Sequence, residues 1–329
     1  MRLAVDVSPL AQTRAGTARY LNALLHELEA MPGFDLLRLA FAAEGRVATI
    51  ARDVGWYLAS LPRAAARAGA GVLHCPTFRG PFRSRIPLVV TVHDLAVLRH
   101  PQAFNRWTRT YSRLAVPRVL AAADRIIAVS DFTRRELVEL VGVADDKIRV
   151  VSEAADGAFG PDGRAAGGRY VLAVGTLEPR KNLPRVIEAT RRAGVELRVV
   201  GERGWGNLEL AADGVVWLGR VPDDELAALY RGALCVAYPS LYEGFGLPVL
   251  EAMACGTPVV TSAGGATEEV SGTAAVLVDP LDPASIAAGI QEASSRRAEL
   301  ARRGLERARG FSWRTAAAQT AAVYREVAE

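Results

Sequence analysis

The chain has 329 residues, half of them apolar, with 40 basic and 36 acidic residues, four histidines and a net charge of +4. That length and apolar share are enough for two domains with separate cores, and no run of about 18 apolar residues is present to form a transmembrane helix. Cys75, Cys235 and Cys255 lack metal-ligand spacing and argue for a reduced compartment over a disulfide framework, while the modest charge without interleaved aromatic and basic residues argues against nucleic-acid binding.

Residues 1–6 already read as a strand, so no signal peptide is expected ahead of them. Residues 3–7 form the first strand and residues 8–15 a polar loop. Gly16 then opens a helix to about residue 30, with Leu21, Leu24, Leu25 and Leu28 at helical spacing. A strand, a glycine loop and a helix start can cradle phosphate, although G-x-G-x-x-G is missing. Residues 36–42 read as a second strand, 50–68 as mostly helical and 71–75 as a short strand. Residues 87–93 are clearer: Leu88-Val-Val-Thr-Val92 is the continuous apolar run of a strand buried on both faces. Ligands of open α/β sheets gather at the carboxyl ends of strands, which places His74 and His93 on a reactive rim.

A helix over residues 105–122 belongs to a basic cluster of Arg99, Arg106, Arg109, Arg113 and Arg118, read either as a solvated face or as a surface for anionic lipid or phosphate. The imbalance is regional: residues 1–168 hold 22 basic and 16 acidic residues, and subtraction from 40 and 36 leaves 18 and 20. Residues 125–129 form a strand, Ser130 caps the next helix, and residues 147–152 end this half. Residues 154–168, rich in Gly, Ala, Asp and Pro, read as a hinge.

Residues 170–174 open a second α/β unit, followed by Gly175-Thr-Leu-Glu-Pro-Arg-Lys-Asn182. Asn182 is placed to cap a helix beginning at Leu183-Pro184. Arg180 and Lys181 then sit beside the positive end of that helix, where two cations repel it unless an anion bridges them. A diphosphate fits: arginine can bind it bidentately and lysine as a point charge. Strands follow at 196–200 and 215–218, with Arg203 and Val221 beyond their ends. A strand at 236–238 leads into the loop 240–246, a helix from Pro248 to about residue 254 stopped by Gly256, and a strand at 257–261. Two carboxylates, Glu243 and Glu251, flank the amides of Gly244, Phe245, Gly246 and Leu247. Those unpaired N–H groups can hold anionic or hydroxyl oxygens, and the glycines allow close approach. A loop and short helix at 264–269, a strand at 275–278, a helix capped by Asp282 and an amphipathic tail at 311–327 complete the chain.

The string from Glu243 to Glu251 resembles the E-x7-E motif of the retaining glycosyltransferases of family 4. The segment 175–182 resembles that family's G-x-L-x-P-R-K-N element, and Val-Val-Thr-Val-His93-Asp its histidine strand. Residues 218–226 are similar to its L-G-x-V-x-x-x-E-L segment. The resemblance implies an α/β GT-B fold of two facing Rossmann-like domains with a cleft between them. They would be an acceptor-side domain at 1–155 with the C-terminal helix 312–329 packed back on it, a hinge at 156–168, and a nucleotide-sugar domain at 169–311. It implies that Glu243 and the following amides hold the donor sugar, Glu251 the ribose, Arg180 and Lys181 the diphosphate, and His93 the sugar. It also puts the base near Val221, with Arg203 a candidate phosphate or base contact. The family often carries two glycines in its first loop, where this chain has Gly16 alone, and some relatives have arginine where this chain has Thr176.

The expected activity is metal-independent transfer of a sugar, with retention of configuration, to a glycan, lipid-linked or small-molecule acceptor. The two motif strings look most like those of mannosyltransferases using GDP-mannose; UDP-glucose and UDP-N-acetylglucosamine remain open. The nucleotide sugar is a substrate, so no cofactor is expected. The expected place is the cytoplasm, with peripheral contact at the inner membrane face through the basic cluster. A sugar-nucleotide epimerase or a non-catalytic nucleotide-binding module of the same fold stays as an alternative.

Overall fold

The computed structural model describes residues 1–12, 16–41, 43, 45–204 and 213–329. The chain divides into two compact units, Met1–Glu153 with Trp313–Glu329, and Ala154–Ser312.

The first unit is built on a six-stranded sheet of β1 (Arg2–Asp6), β2 (Asp35–Leu39), β3 (Val72–Cys75), β4 (Leu88–Val92), β5 (Arg125–Ala128) and β6 (Ile148–Val150). All pairs are parallel, in the order β2-β1-β3-β4-β5-β6. Every residue of β4 is buried because helices cover both faces. The period of two divides the side chains: Ala4, Leu73, Val90 and Ile126 pack with Tyr57, Leu61 and Val119. Leu3, Val5, Val72, Val89 and Ile127 face the other way, onto Leu21 and Leu24 of helix Gly16–Glu29 and Ala317 and Tyr324 of helix Trp313–Ala328. Between β2 and β3 the helical stretch widens into a π-helix at Ala51–Ser60, between α-helical Arg46–Ile50 and Leu61–Arg67, a detail that apolar periodicity did not reveal.

The second unit carries β7 (Tyr170–Val174), β8 (Glu196–Val200), β9 (Val215–Gly219), β10 (Cys235–Tyr238), β11 (Val259–Ser262) and β12 (Val276–Val278). Its order is β12-β11-β10-β7-β8-β9, again parallel, so the winding reverses between β7 and β10. Helices Leu183–Ala193 and Pro283–Ser295 bury Leu183, Val186, Ile286 and Ile290 against Val171, Leu197, Ala237 and Val260. The helix can lie this close because residue 289 is glycine: a Cβ there would stand 2.5 Å from Val278 Cγ1.

One local expectation is corrected. Asn182 precedes its helix but does not cap it with its side chain; its backbone is left-handed, at φ 59°. Asparagine tolerates that conformation better than most residues. Its amide donates instead to the carbonyls of Pro239, at 3.0 Å, and Pro280, at 2.6 Å, tying the loops after β10 and β12 to the turn. Helix Arg297–Ala308 was not anticipated, because it buries only Leu300 and Gly304.

Candidate active site

In doubly wound sheets, ligands bind outside the carboxyl ends of the strands where the winding reverses. In the second unit that point is the end of β7 beside the end of β10. The loop after β7 tightens into a 3-10 turn at Pro179–Lys181, and the Leu241 amide after β10 donates to the Arg180 carbonyl at 2.8 Å. The two loops therefore meet, and their charged side chains converge. Arg180 Nη1 donates to Glu243 Oε2 at 2.7 Å and to the Tyr242 carbonyl at 3.2 Å. Lys181 Nζ donates to Glu243 Oε1 at 2.6 Å and to the Tyr238 hydroxyl at 2.5 Å. A second carboxylate, Glu178 Oε1, lies 2.6 Å from Arg180 Nη2.

The lysine reaches across the strand end because residue 175 is glycine, at φ 139°, where a Cβ would lie 3.2 Å from Lys181 Cε. Side-chain exposures of 23% for Arg180, 15% for Lys181 and 10% for Glu243 leave these charges poorly hydrated. Burial and the Arg180 charge lower the Lys181 ammonium, against the pull of Glu243. Burial alone would raise Glu243, but Arg180 and Lys181 hold it down to about 2, so it is ionised across the neutral range. Burial raises Glu178 despite Arg180. The result is a cluster in which Glu243, a residue of the chain itself, bridges the two cations, with Glu178 as a second counter-ion to Arg180.

The loop from Glu243 runs into helix Leu247–Ala254 through Gly246, at φ 113°. A Cβ on Gly246 would come within 2.9 Å of Thr267 Cγ2, so the chain passes where only glycine fits. Gly244 and Leu247 are buried beside it, and Phe245 meets Phe311 edge-on at 6.0 Å between centroids. Glu251, buried on that helix, accepts from the Tyr230 hydroxyl at 2.8 Å. Farther out, the Arg203 guanidinium lies over the Trp217 ring, 4.8 Å from its centroid, and Val221 is half-buried just past β9.

In the first unit His93 follows β4. Its Nδ1 is 2.8 Å from Glu153 Oε1 and its Nε2 is 3.0 Å from the Pro76 carbonyl oxygen. The Tyr20 ring packs perpendicular to the His93 ring, 4.7 Å between centroids. His93 borders a cavity of about 320 Å³ whose polar lining includes Gln12, Thr17, Thr77, Arg79 and Asp94. Gly16 is exposed at the start of its helix; residues 13–15 of its loop lie outside the described residues. His74 is a correction. It is not on a rim but fully buried, with Nε2 2.9 Å from Thr91 Oγ1 and Nδ1 2.8 Å from the Tyr324 hydroxyl. Burial drives it down to about 3, so it is a neutral core histidine.

Sequence reading brought out Arg180, Lys181 and Glu243, which the structure brings into direct contact, and His93, which belongs to the other unit. It missed Glu153 and Glu178. Glu153 stands just past β6 and could have been found by asking which carboxylates follow strand ends; Glu178 lies inside the quoted Gly175–Asn182 segment. Among the described residues no group of three or more His, Cys, Asp or Glu side chains could hold a metal ion, and no helix is long and apolar enough to cross a membrane.

Residues 15–157 match the family model "Glycosyltransferase Family 4" and residues 159–311 the model "Glycosyl transferases group 1". The chain is 34% identical over 288 residues to the O-antigen chain mannosyltransferase B of Escherichia coli, covering 77% of this chain and 74% of that protein. It is 33% identical over 278 residues to a D-inositol 3-phosphate glycosyltransferase of Acidothermus cellulolyticus, covering 73% of this chain but only 62% of that one. Among solved structures it resembles a sucrose-phosphate synthase of Thermosynechococcus elongatus, with TM-score 0.80, 21% identity and coverage of 99% of this chain and 98% of the other. It also resembles Anabaena HepE in complex with UDP-glucose, with TM-score 0.75, 20% identity and coverage of 99% and 100%. With a family match over each half, a relative above 30% identity across most of its length and this fold, the chain belongs to family 4 of the glycosyltransferases and has the GT-B fold.

Proposed function

We propose that this glycosyltransferase moves a mannosyl group from GDP-mannose to a hydroxyl of a glycan, lipid-linked or small-molecule acceptor, with retention of configuration and without a metal ion. The observation that carries the reading is the meeting of Arg180, Lys181 and Glu243 at the β7/β10 reversal point. Breaking the bond between the sugar's anomeric carbon and phosphate puts negative charge on the diphosphate. Arg180 and Lys181 are assigned to that charge, with amides of the Glu243 loop and of the Gly16 helix start. The acceptor oxygen attacks the same face, and its proton passes to the leaving phosphate oxygen. Glu243 with the amides at 244–247 takes the sugar hydroxyls, Glu251 the ribose, Val221 and Arg203 the base side, and His93 the sugar.

The similarity to a mannosyltransferase favours mannose as the cargo. A UDP-sugar reading has its own support in the HepE complex. A cytoplasmic enzyme touching an anionic membrane surface is supported by the exposure of Arg99, Arg106, Arg109, Arg113 and Arg118. The test is a panel of radiolabelled nucleotide sugars, scored for thermal shift, donor hydrolysis and transfer in EDTA. GDP-mannose should give the largest shift and retain its turnover in chelator. A larger shift with a UDP-sugar would move the assignment to that donor, and no response to any nucleotide sugar would overturn the proposal.

A further inference from the structure

The His93 ring is unusual in what its two nitrogens face. Glu153 Oε1 at 2.8 Å and the Pro76 carbonyl oxygen at 3.0 Å are both acceptors. A neutral imidazole has one N–H, so it could satisfy both contacts only if the Glu153 carboxyl itself carried a proton and donated it to Nδ1. With Glu153 as an acceptor, both contacts are satisfied together only when the ring carries two protons, and the ring-nitrogen measurement below separates the two arrangements. Glu153 is buried, with its side chain 5% exposed, so water does little to loosen the pair. It is also the last residue of its unit before the chain passes to Ala154.

We infer that Glu153 is a positioning residue that holds His93 as a doubly protonated ring, making His93 a fixed hydrogen-bond donor and positive charge and not a base. The inference rests on the reading above, in which His93 meets the donor sugar. The Pro76 carbonyl is then the resting partner of Nε2–H, and a ligand oxygen can take its place without any change of proton count. Of the other groups around the ring, Asp94 favours the charged form, while His74, which the His93 charge helps to lower, stays neutral. Tyr20 packs perpendicular to the ring, and Arg79, a like charge lining the same cavity, works against the charge that Glu153 must hold. Burial opposes the charge on His93, but the hydrogen bond and charge of Glu153, with Asp94 and the Pro76 carbonyl, lift it above the ordinary histidine value. Removing the carboxylate leaves burial to act and lowers it.

The experiment uses the full chain with its four histidines labelled in the ring nitrogens, the His93 signals being identified by their loss in His93→Gln. At pH 8, wild type should show both His93 nitrogens protonated, and Glu153→Gln a neutral ring with one proton. Transfer assays give the second arm. Wild-type kcat/KM should show no His93 titration between pH 6 and 8, whereas Glu153→Gln should fall about tenfold over that span and recover toward wild type at the acid end. In a His93→Gln background, Glu153→Gln should add nothing. A wild-type His93 that is singly protonated at pH 7, or a Glu153→Gln loss equal at every pH, overturns the inference. If no donor is turned over, the reaction assignment fails by itself, while the ring spectra still decide the protonation state.

Discussion

The two units share a plan and differ in what their loops put on it. Each is a parallel six-stranded sheet whose order reverses beside its first strand, between β1 and β3 in one and between β7 and β10 in the other. In the second unit the reversal point is filled by side chains that answer one another, with Arg180 and Lys181 both closed on Glu243. In the first, the loops after β1, β3 and β4 surround a cavity of about 320 Å³, and a close pair beside it, His93 with Glu153, joins the end of β4 to the end of β6. A shared fold therefore supplies the place, and a few loop residues decide whether it holds fixed charge or open space.

The comparison can be broken most forcefully in the second unit. Arg180→Met and Lys181→Met should each lower kcat/KM about 100- to 1,000-fold, the scale of losing one preorganised charge contact in a buried site. Equivalent truncation of Arg79 beside the cavity should leave nucleotide affinity within a few-fold. Equal losses at both places would erase the distinction.

A smaller effect separates His74 from His93 in the first unit. The folded value of His74, about 3, lies below its ordinary 6.5, so the unfolded chain takes the proton first. Stability from this group is intact above pH 6.5 and is lost as pH falls toward 3, at about 1.4 kcal/mol per unit. Chemical denaturation at pH 7 and 5 should show that slope reduced in His74→Gln. Tyr324→Phe, which removes the hydroxyl 2.8 Å from His74 Nδ1, should cost about 1–3 kcal/mol of stability with kcat/KM unchanged. Smallest of all, Glu326→Gln, which loosens half-exposed ion pairs to Arg125 and Arg149, should change stability by less than about 1 kcal/mol.

Much of this arrangement was legible because parallel strands with both faces covered read as near-continuous apolar runs, as β7 and β10 do and as β4 does apart from Thr91. Glycines and charges immediately after such runs then mark the ligand side, which is how Arg180, Lys181, Glu243 and His93 stood out. What stayed hidden depended on packing at a distance. Nothing near His74 in the sequence shows that Tyr324, 250 residues on, closes over it. The Asn182 side chain was spent on Pro239 and Pro280, which no local pattern shows. Glu153 carries no motif of its own; it matters because β6 ends where the His93 ring can reach it.

The central claim is that the β7/β10 cluster grips the donor by its diphosphate. Calorimetric titration of GDP into wild type and into the Lys181→Met variant, both in EDTA, addresses it without needing an acceptor. The account predicts that GDP binds wild type and that affinity falls at least about tenfold in the variant, with GMP binding affected much less. Equal GDP affinity in the two proteins, or binding by wild type only after a divalent metal is restored, would contradict it.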